Sequence, residues 1–187
     1  MSEWREHKLG SVVKIKKDII SGPFGSNISR KFFVESGIPV IRGNNLSLSV
    51  GNKFSDDDFV FLTEEKAKDL GTWAEINDLV FTAAGTIGQV GLITGNLNYS
   101  RYIISNKQLR VRLDNSIADP YYGYYWFSNP SMREMIISCD TGSTIPLINL
   151  TVLRSLPIIL PPLKEQKAIA EVLSVNGGVK MGSMKAA

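Results

Sequence analysis

Polar and basic side chains recur beside glycines in this chain, and their types suit the reading of hydrogen-bond patterns more than the making or breaking of bonds. Ser26 and Asn27 follow the stretch Gly22-Pro23-Phe24-Gly25, with Arg30 and Lys31 shortly after. Arg42 stands just before Gly43, Asn44 and Asn45. Thr86 follows Gly85, Arg101 and Tyr102 follow Ser100, and Ser143 and Thr144 follow Gly142. Arg and Asn carry the bidentate geometry that fits guanine and adenine edges. Lys and hydroxyl side chains suit phosphate oxygens. These residues are the candidates for contact with duplex DNA. Arg30 and Lys31 are expected on phosphates, and Arg42, Asn44 and Asn45 on base edges. Thr86, Arg101, Tyr102, Ser143 and Thr144 are expected on the same DNA-facing surface.

Other constellations fit enzymes poorly. Gly85-Thr86-Ile87-Gly88-Gln89-Val90-Gly91 is glycine-rich but is neither a dinucleotide fingerprint nor a phosphate loop. β-branched residues follow it, so no helix N-terminus waits for a phosphate. It reads as a turn whose backbone approaches a partner closely. Asp119-Pro120-Tyr121-Tyr122 is similar to the acid-Pro-Pro-aromatic motif of amino-methyltransferases, but it lacks the second proline and has no cofactor loop before it. It reads as a helix start. Asp56-Asp57-Asp58 lacks the spaced ligands of a calcium loop. One cysteine, Cys139, and one histidine, His7, exclude an intrachain disulfide and leave little for metal or acid–base chemistry.

Short strands and turns must position the candidates in the first half. Ile38–Arg42 is a β-branched run closed by Gly43-Asn44-Asn45, and Lys8–Ile15 alternates weakly. Thr63 caps a helix ending at Gly71. Asp78–Thr82 and Val90–Ile93 bracket the glycine-rich turn, and Gln108–Leu113 alternates an apolar face with Arg110 and Arg112. The second half is more helical, with a start at Asp119-Pro120, a further helix over Ser131–Ser138, a short element over Asn149–Leu153, an extended Pro157–Pro162, and a last helix over Leu163–Ser174.

The composition, 187 residues with 43% hydrophobic and 21% charged, is that of an ordinary globular domain. No apolar run approaches the roughly 18 residues of a membrane helix, and the charged N-terminus is no secretory signal. A cytoplasmic, metal-free, non-enzymatic protein is the expectation. The net charge of +3 hides an asymmetry: residues 1–42 carry +4, residues 43–100 carry −5 and residues 101–187 carry +4. Two basic segments flanking an acidic one could fold into a basic face, the footprint of a nucleic-acid binder.

The order of segments resembles the specificity subunit of type I restriction-modification systems. Trp4 with Lys8-Leu9-Gly10, Ile20–Ser26 and Gly37–Asn45 is similar to the opening of that family's target recognition domain. Asp78–Phe81 with Gly85–Gly88 resembles its next block, and Gly142–Pro146 with Pro161-Pro162-Leu163-Lys164-Glu165-Gln166-Lys167-Ala168-Ile169-Ala170 its closing block. The resemblance implies an α+β fold, a mixed sheet with flanking helices and a short C-terminal helix. It implies a recognition domain over 1–160, the start of the spacer helix over 161–175, and a tail over 176–187 left by truncation or cloning. The helix is expected to break after Ser174, at Gly177-Gly178.

The function implied is reading one half of a split duplex DNA target for a methyltransferase complex, with no bond chemistry of its own. S-adenosylmethionine is expected on the methyltransferase (modification) subunit, and a restriction subunit completes the assembly. Leu163, Gln166, Ile169, Val172 and Leu173 are the expected contacts with the methyltransferase subunit. The alternative is an interaction or decoy fragment that occupies that subunit without reading DNA.

Overall fold

The computed structural model describes residues 3–141 and 144–177. The chain opens with β1 (Arg5–Lys8), β2 (Ile19–Ser21), β3 (Phe33–Val34), β4 (Ile38–Ile41) and β5 (Val60–Leu62). After α1 (Glu64–Leu70) come β6 (Trp73–Glu75), β7 (Leu79–Thr82), β8 (Val90–Leu92), β9 (Arg101–Ile104) and β10 (Gln108–Val111). Then follow α2 (Pro120–Ser128), α3 (Pro130–Ser138), α4 (Leu150–Ser155), β11 (Pro157–Leu160) and α5 (Leu163–Gly177). The architecture is α+β, as the sequence leads one to expect, with a mixed sheet among three sheets.

A five-stranded sheet runs β3-β5-β4-β9-β6, and a four-stranded sheet runs β2-β10-β7-β8. β4 and β9 are parallel, with Val40 opposite Ile103 and Ile41 opposite Ile104. The remaining pairs are antiparallel. Continuous β-branched and aromatic runs supply the central strands, and β7 and β10 are buried throughout. β9 belongs to one sheet and β10 to the other, so the short turn between them joins the two sheets.

Helices α2 to α5 lie against the four-stranded sheet, whereas α1 packs Ala67 against the five-stranded one. Phe81, Leu92, Tyr124, Phe127, Ile136, Leu153 and Ile158 share one core with the four-stranded sheet. Local chemistry sets the helix starts. The side chains of Thr63, Asp119, Asn129 and Asn149 each accept from a backbone N–H in the first turn of α1, α2, α3 and α4. β1 and β11 pair antiparallel, with Arg5 opposite Leu160, which ties the start of the chain to the root of α5.

Three expectations are corrected. The first strand is Arg5–Lys8 rather than Lys8–Ile15, because Leu9–Ser11 turns into a 3-10 helix that buries Leu9. β10 has no solvated basic face, since packing between β2 and β7 leaves Arg110 6% exposed. α5 continues past Ser174 to Gly177, because a glycine in the last turn costs only about 1 kcal/mol of propensity.

Candidate nucleic-acid interface

The turn between β9 and β10, Ser105-Asn106-Lys107, is the hub of a polar rim. Because β4 and β9 are parallel and in register, their C-terminal ends fall at one edge, so Arg42–Asn44 stand beside this turn. Ser105 N donates to the Ile41 carbonyl at 3.0 Å, and Ala83 N donates to the Lys107 carbonyl at 2.7 Å. On another side, Gly22 N donates to the Gln108 carbonyl at 2.9 Å. A Cβ on Gly22 would lie 1.8 Å from the Ser105 carbonyl oxygen, so only glycine fits this approach.

The glycine-rich turn completes the rim. Gly85 and Gly88 have φ of 97° and 92°, values that favour glycine. Gly85 N donates to the Pro146 carbonyl at 3.0 Å. Gln89 fixes the turn: its Oε1 accepts from the Thr82 hydroxyl at 2.8 Å, and its Nε2 donates to the Gly43 and Leu46 carbonyls at 3.2 Å each. Gly43, Thr86, Gln89 and Lys107 line one cleft of about 280 Å³.

The structure brings several candidates together here. Ser26 and Asn27 are exposed in a 3-10 turn beside Asn106, where Gly25 packs against the Asn106 amide. Arg42 Nη2 donates to the Asp58 carbonyl at 2.8 Å, and Asn44 Nδ2 donates to the Asp58 carboxylate at 3.0 Å. Asn44 and Thr86 are exposed. Thr144, also exposed, lies two residues before Pro146 and so on the loop next to Thr86. Ser143 lies outside the described residues. Arg30 and Lys31 are exposed in the following 3-10 turn, where Lys31 and Lys66 stand 4.8 and 4.4 Å from the centre of the Phe32 ring.

Other candidates are placed elsewhere. Asn45 is 1% exposed. Its Oδ1 accepts from Arg42 N at 2.9 Å, and its Nδ2 donates to the Ser55 and Asp57 carbonyls at 3.0 and 2.8 Å. Every hydrogen-bonding group of this amide is spent on backbone, so Asn45 shapes the loop and has no free amide group to offer a base. Tyr102 is fully buried, its ring against Phe54 and Phe59 and its hydroxyl donating to Asp56 at 2.9 Å. Burial, together with the Asp56 carboxylate, pushes its pKa well above the usual phenol range. Arg101 starts β9, roughly 10 Å along the strand from Ile104 at about 3.3 Å per residue, and so at the end away from the Lys107 turn. There it pairs with Glu64 at 2.6 Å and covers the Trp73 ring at 4.7 Å. The single surface expected for Thr86, Arg101, Tyr102 and Thr144 therefore keeps only Thr86 and Thr144.

Arg110 and Arg112 serve the interior. Asp78, fully buried, receives Arg112 Nε and Nη2 at 2.8 Å each, with Arg110 Nε 3.9 Å away. Burial raises the Asp78 pKa against the opposing pull of Arg112 and Arg110. The Arg112 pKa rises because its hydrogen bonds to Asp78 favour the cation.

The residues expected to face a partner divide. Gln166 is 1% exposed. Its Oε1 accepts from Asp119 N at 2.8 Å, and its Nε2 donates to the Ile117 and Pro161 carbonyls at 3.0 and 2.8 Å. It clamps α5 to the start of α2 and is turned away from the surface. Leu163 is half-buried, and Ile169 packs against the main core. Val172 and Leu173 face solvent.

Lys107, Asn106 and Gln89 were not among the residues singled out from the sequence. Asn106-Lys107 shows there only as a polar pair between two apolar runs, and Gln89 is hidden in a glycine-rich stretch.

The domain is thus a two-sheet base carrying a rim of polar turns, with the last helix leaving directly after the β1–β11 pair. The family model described as the type I restriction modification DNA specificity domain matches residues 1–178, and the chain belongs to that family. As a member it is a specificity module and not an enzyme. The chain is 26% identical over 93 residues to the EcoBI specificity subunit of Escherichia coli, covering 50% of this chain and 19% of that protein. It is 33% identical over 73 residues to the MjaVIII specificity subunit of Methanocaldococcus jannaschii, covering 38% and 16%. The chain thus matches less than a fifth of the length of either relative.

Solved structures share the fold. One, from a study of type I R-M assembly and conformational transition, superposes with a TM-score of 0.66 at 19% identity over 92% of this chain and 38% of the other. The HsdS subunit from Thermoanaerobacter tengcongensis gives 0.62 at 18% identity, over 92% and 36%. Among the described residues, no helix is long and apolar enough to cross a membrane.

Proposed function

We propose that this domain reads one half of a split duplex DNA target, in the cytoplasm, for a type I restriction-modification methyltransferase complex. One observation carries this reading. The segments at 22–27, 43–44 and 85–89 are distant in sequence, yet hydrogen bonds and close packing gather them around Asn106–Lys107 on a rigid two-sheet base. Such a rim offers side-chain amides, hydroxyls and a lysine at fixed spacing, which is what groove recognition requires.

Residues 1–160 would form the reading unit, and α5 would start the spacer. Val172 and Leu173 would meet the methyltransferase subunit, which would bind S-adenosylmethionine, and a restriction subunit would join for cleavage. The chain itself would hold no cofactor. The test is selection from a randomised duplex library, followed by footprinting of the enriched duplexes with and without the methyltransferase subunit. Protection of one short block by the chain, retained at the same bases in the assembly, supports the reading. A chain that joins the subunit but protects no sequence is a decoy, and the reading falls.

A further inference from the structure

Phe24, at 84%, is the most exposed large apolar side chain among the described residues. Its surroundings hold it there. Gly22 is pressed against the β9–β10 turn. Pro23 fixes its own backbone angle. Asn27 N donates to the Phe24 carbonyl at 2.8 Å, closing the loop on its far side, and a Cβ on Gly25 would lie 3.1 Å from the Asn106 amide nitrogen. The ring therefore has a pinned base and stands exposed at the edge of an open cleft. The loop cannot fold it inward without breaking these contacts.

What surrounds the ring indicates what covers it. Ser26 and Asn27 follow Phe24 in the chain and Asn106 lines the same cleft; all three are exposed and donate hydrogen bonds, and the exposed Lys107 is next to Asn106 in sequence. An apolar partner surface would leave them unsatisfied, whereas a duplex presents acceptors to them and a stack of aromatic faces to the ring. We propose that Phe24 is a wedge that enters between adjacent base pairs of the bound duplex, unstacks one step and reads how easily that step deforms. The proposal rests on the reading of this rim as the DNA-binding face.

The chemistry is that of replacement. An aromatic ring has two faces and can take the stacking surface that a parted base pair loses. Apolar wedges of this kind kink duplexes by roughly 20–90°. Pyrimidine–purine steps part at least cost, so the domain should prefer one at a position that no hydrogen-bonding side chain touches. Beside Phe24 lies an open cleft of about 470 Å³ that includes Leu147 and Leu150. A protein segment seated there is the rival occupant, and the experiment separates the two.

The full chain is mixed with a duplex enriched from the randomised library, with 2-aminopurine walked along the site. The unaltered chain should raise the fluorescence several-fold at one step only. Phe24→Ala should lose that rise and bind about tenfold more weakly. Its salt dependence should not change, because no phosphate contact is lost. Phe24→Trp should restore the signal. The ring makes no core contact, so Phe24→Ala should melt as the unaltered chain does. Phe24→Ala with affinity and signal both intact overturns the wedge while leaving DNA reading in place. Normal DNA binding with loss of the methyltransferase subunit overturns it in favour of a protein occupant. If no duplex is enriched at all, the reading of the rim falls, and the wedge with it.

Discussion

The side chain of Gln89 holds the backbone of Gly43, its amide nitrogen donating to the Gly43 carbonyl at 3.2 Å. The same nitrogen reaches Leu46, and the Gln89 oxygen takes the Thr82 hydroxyl. One amide thus joins a loop of the five-stranded sheet to a turn of the four-stranded sheet, and the spacing of Asn44 and Thr86 depends on it.

Replacing Gln89 with Ala should cost about 1–2 kcal/mol of stability, because two part-buried carbonyls lose their donor. Amide exchange at residues 44–46 should accelerate more than exchange in the core strands. Discrimination between enriched and random duplexes should narrow, since side chains on a loosened loop no longer reach base edges at fixed spacing. Unchanged exchange at 44–46 would show that the loop holds itself.

Gln166 makes a different case. Gln166→Leu would take the Gln166 partner from three backbone groups, one buried and two part-buried, and about 2–4 kcal/mol should be lost in urea unfolding of the chain alone. A variant of normal stability that fails to bind the methyltransferase subunit would return Gln166 to the partner-facing set.

On the same helix, Val172→Asp with Leu173→Asp should change the stability of the free chain by no more than about 0.5 kcal/mol, since both side chains face solvent. The double variant should still lose co-purification with the methyltransferase subunit. Ile169→Asp should instead lower the stability of the free chain, because Ile169 packs against the core. Retention of the subunit by the double variant would locate docking elsewhere.

Helix starts, central strands and turns were legible because their signals are local. Thr63 and Asp119 cap helices that begin at the next residue, and Gly85 and Gly88 mark a turn with positive φ. Which polar residues face outward was not legible. Asn44 and Asn45 are neighbours of one type, yet one is exposed and the other is consumed by the backbone of Ser55 and Asp57. That difference depends on where a loop ten residues later returns. Arg110 and Arg112 read as a basic face because nothing nearby in sequence shows that Asp78 waits beneath them. Lys107 could not be weighed at all until the parallel pairing of β4 and β9 set it beside Arg42 and Gly43.

Three of the six tyrosines should ionise late in an alkaline absorbance titration. Burial pushes Tyr122 up to about 12, and its hydroxyl donates to the Ile159 carbonyl at 2.7 Å. Burial raises Tyr124 and Tyr102 as well, with the Asp56 carboxylate adding to the rise at Tyr102. In the unfolded chain each phenol loses its proton near pH ~10. Above that pH the unfolded state releases protons that the folded state keeps, so stability falls as pH rises through the window up to about 12 for Tyr122. Below it the contribution is constant. Tyr122→Phe should flatten part of this alkaline slope while lowering stability at neutral pH by about 1 kcal/mol for the lost hydrogen bond. A slope identical to that of the unaltered chain would mean that Tyr122 titrates as an ordinary exposed phenol, and that its seat between α2 and β11 is open to water.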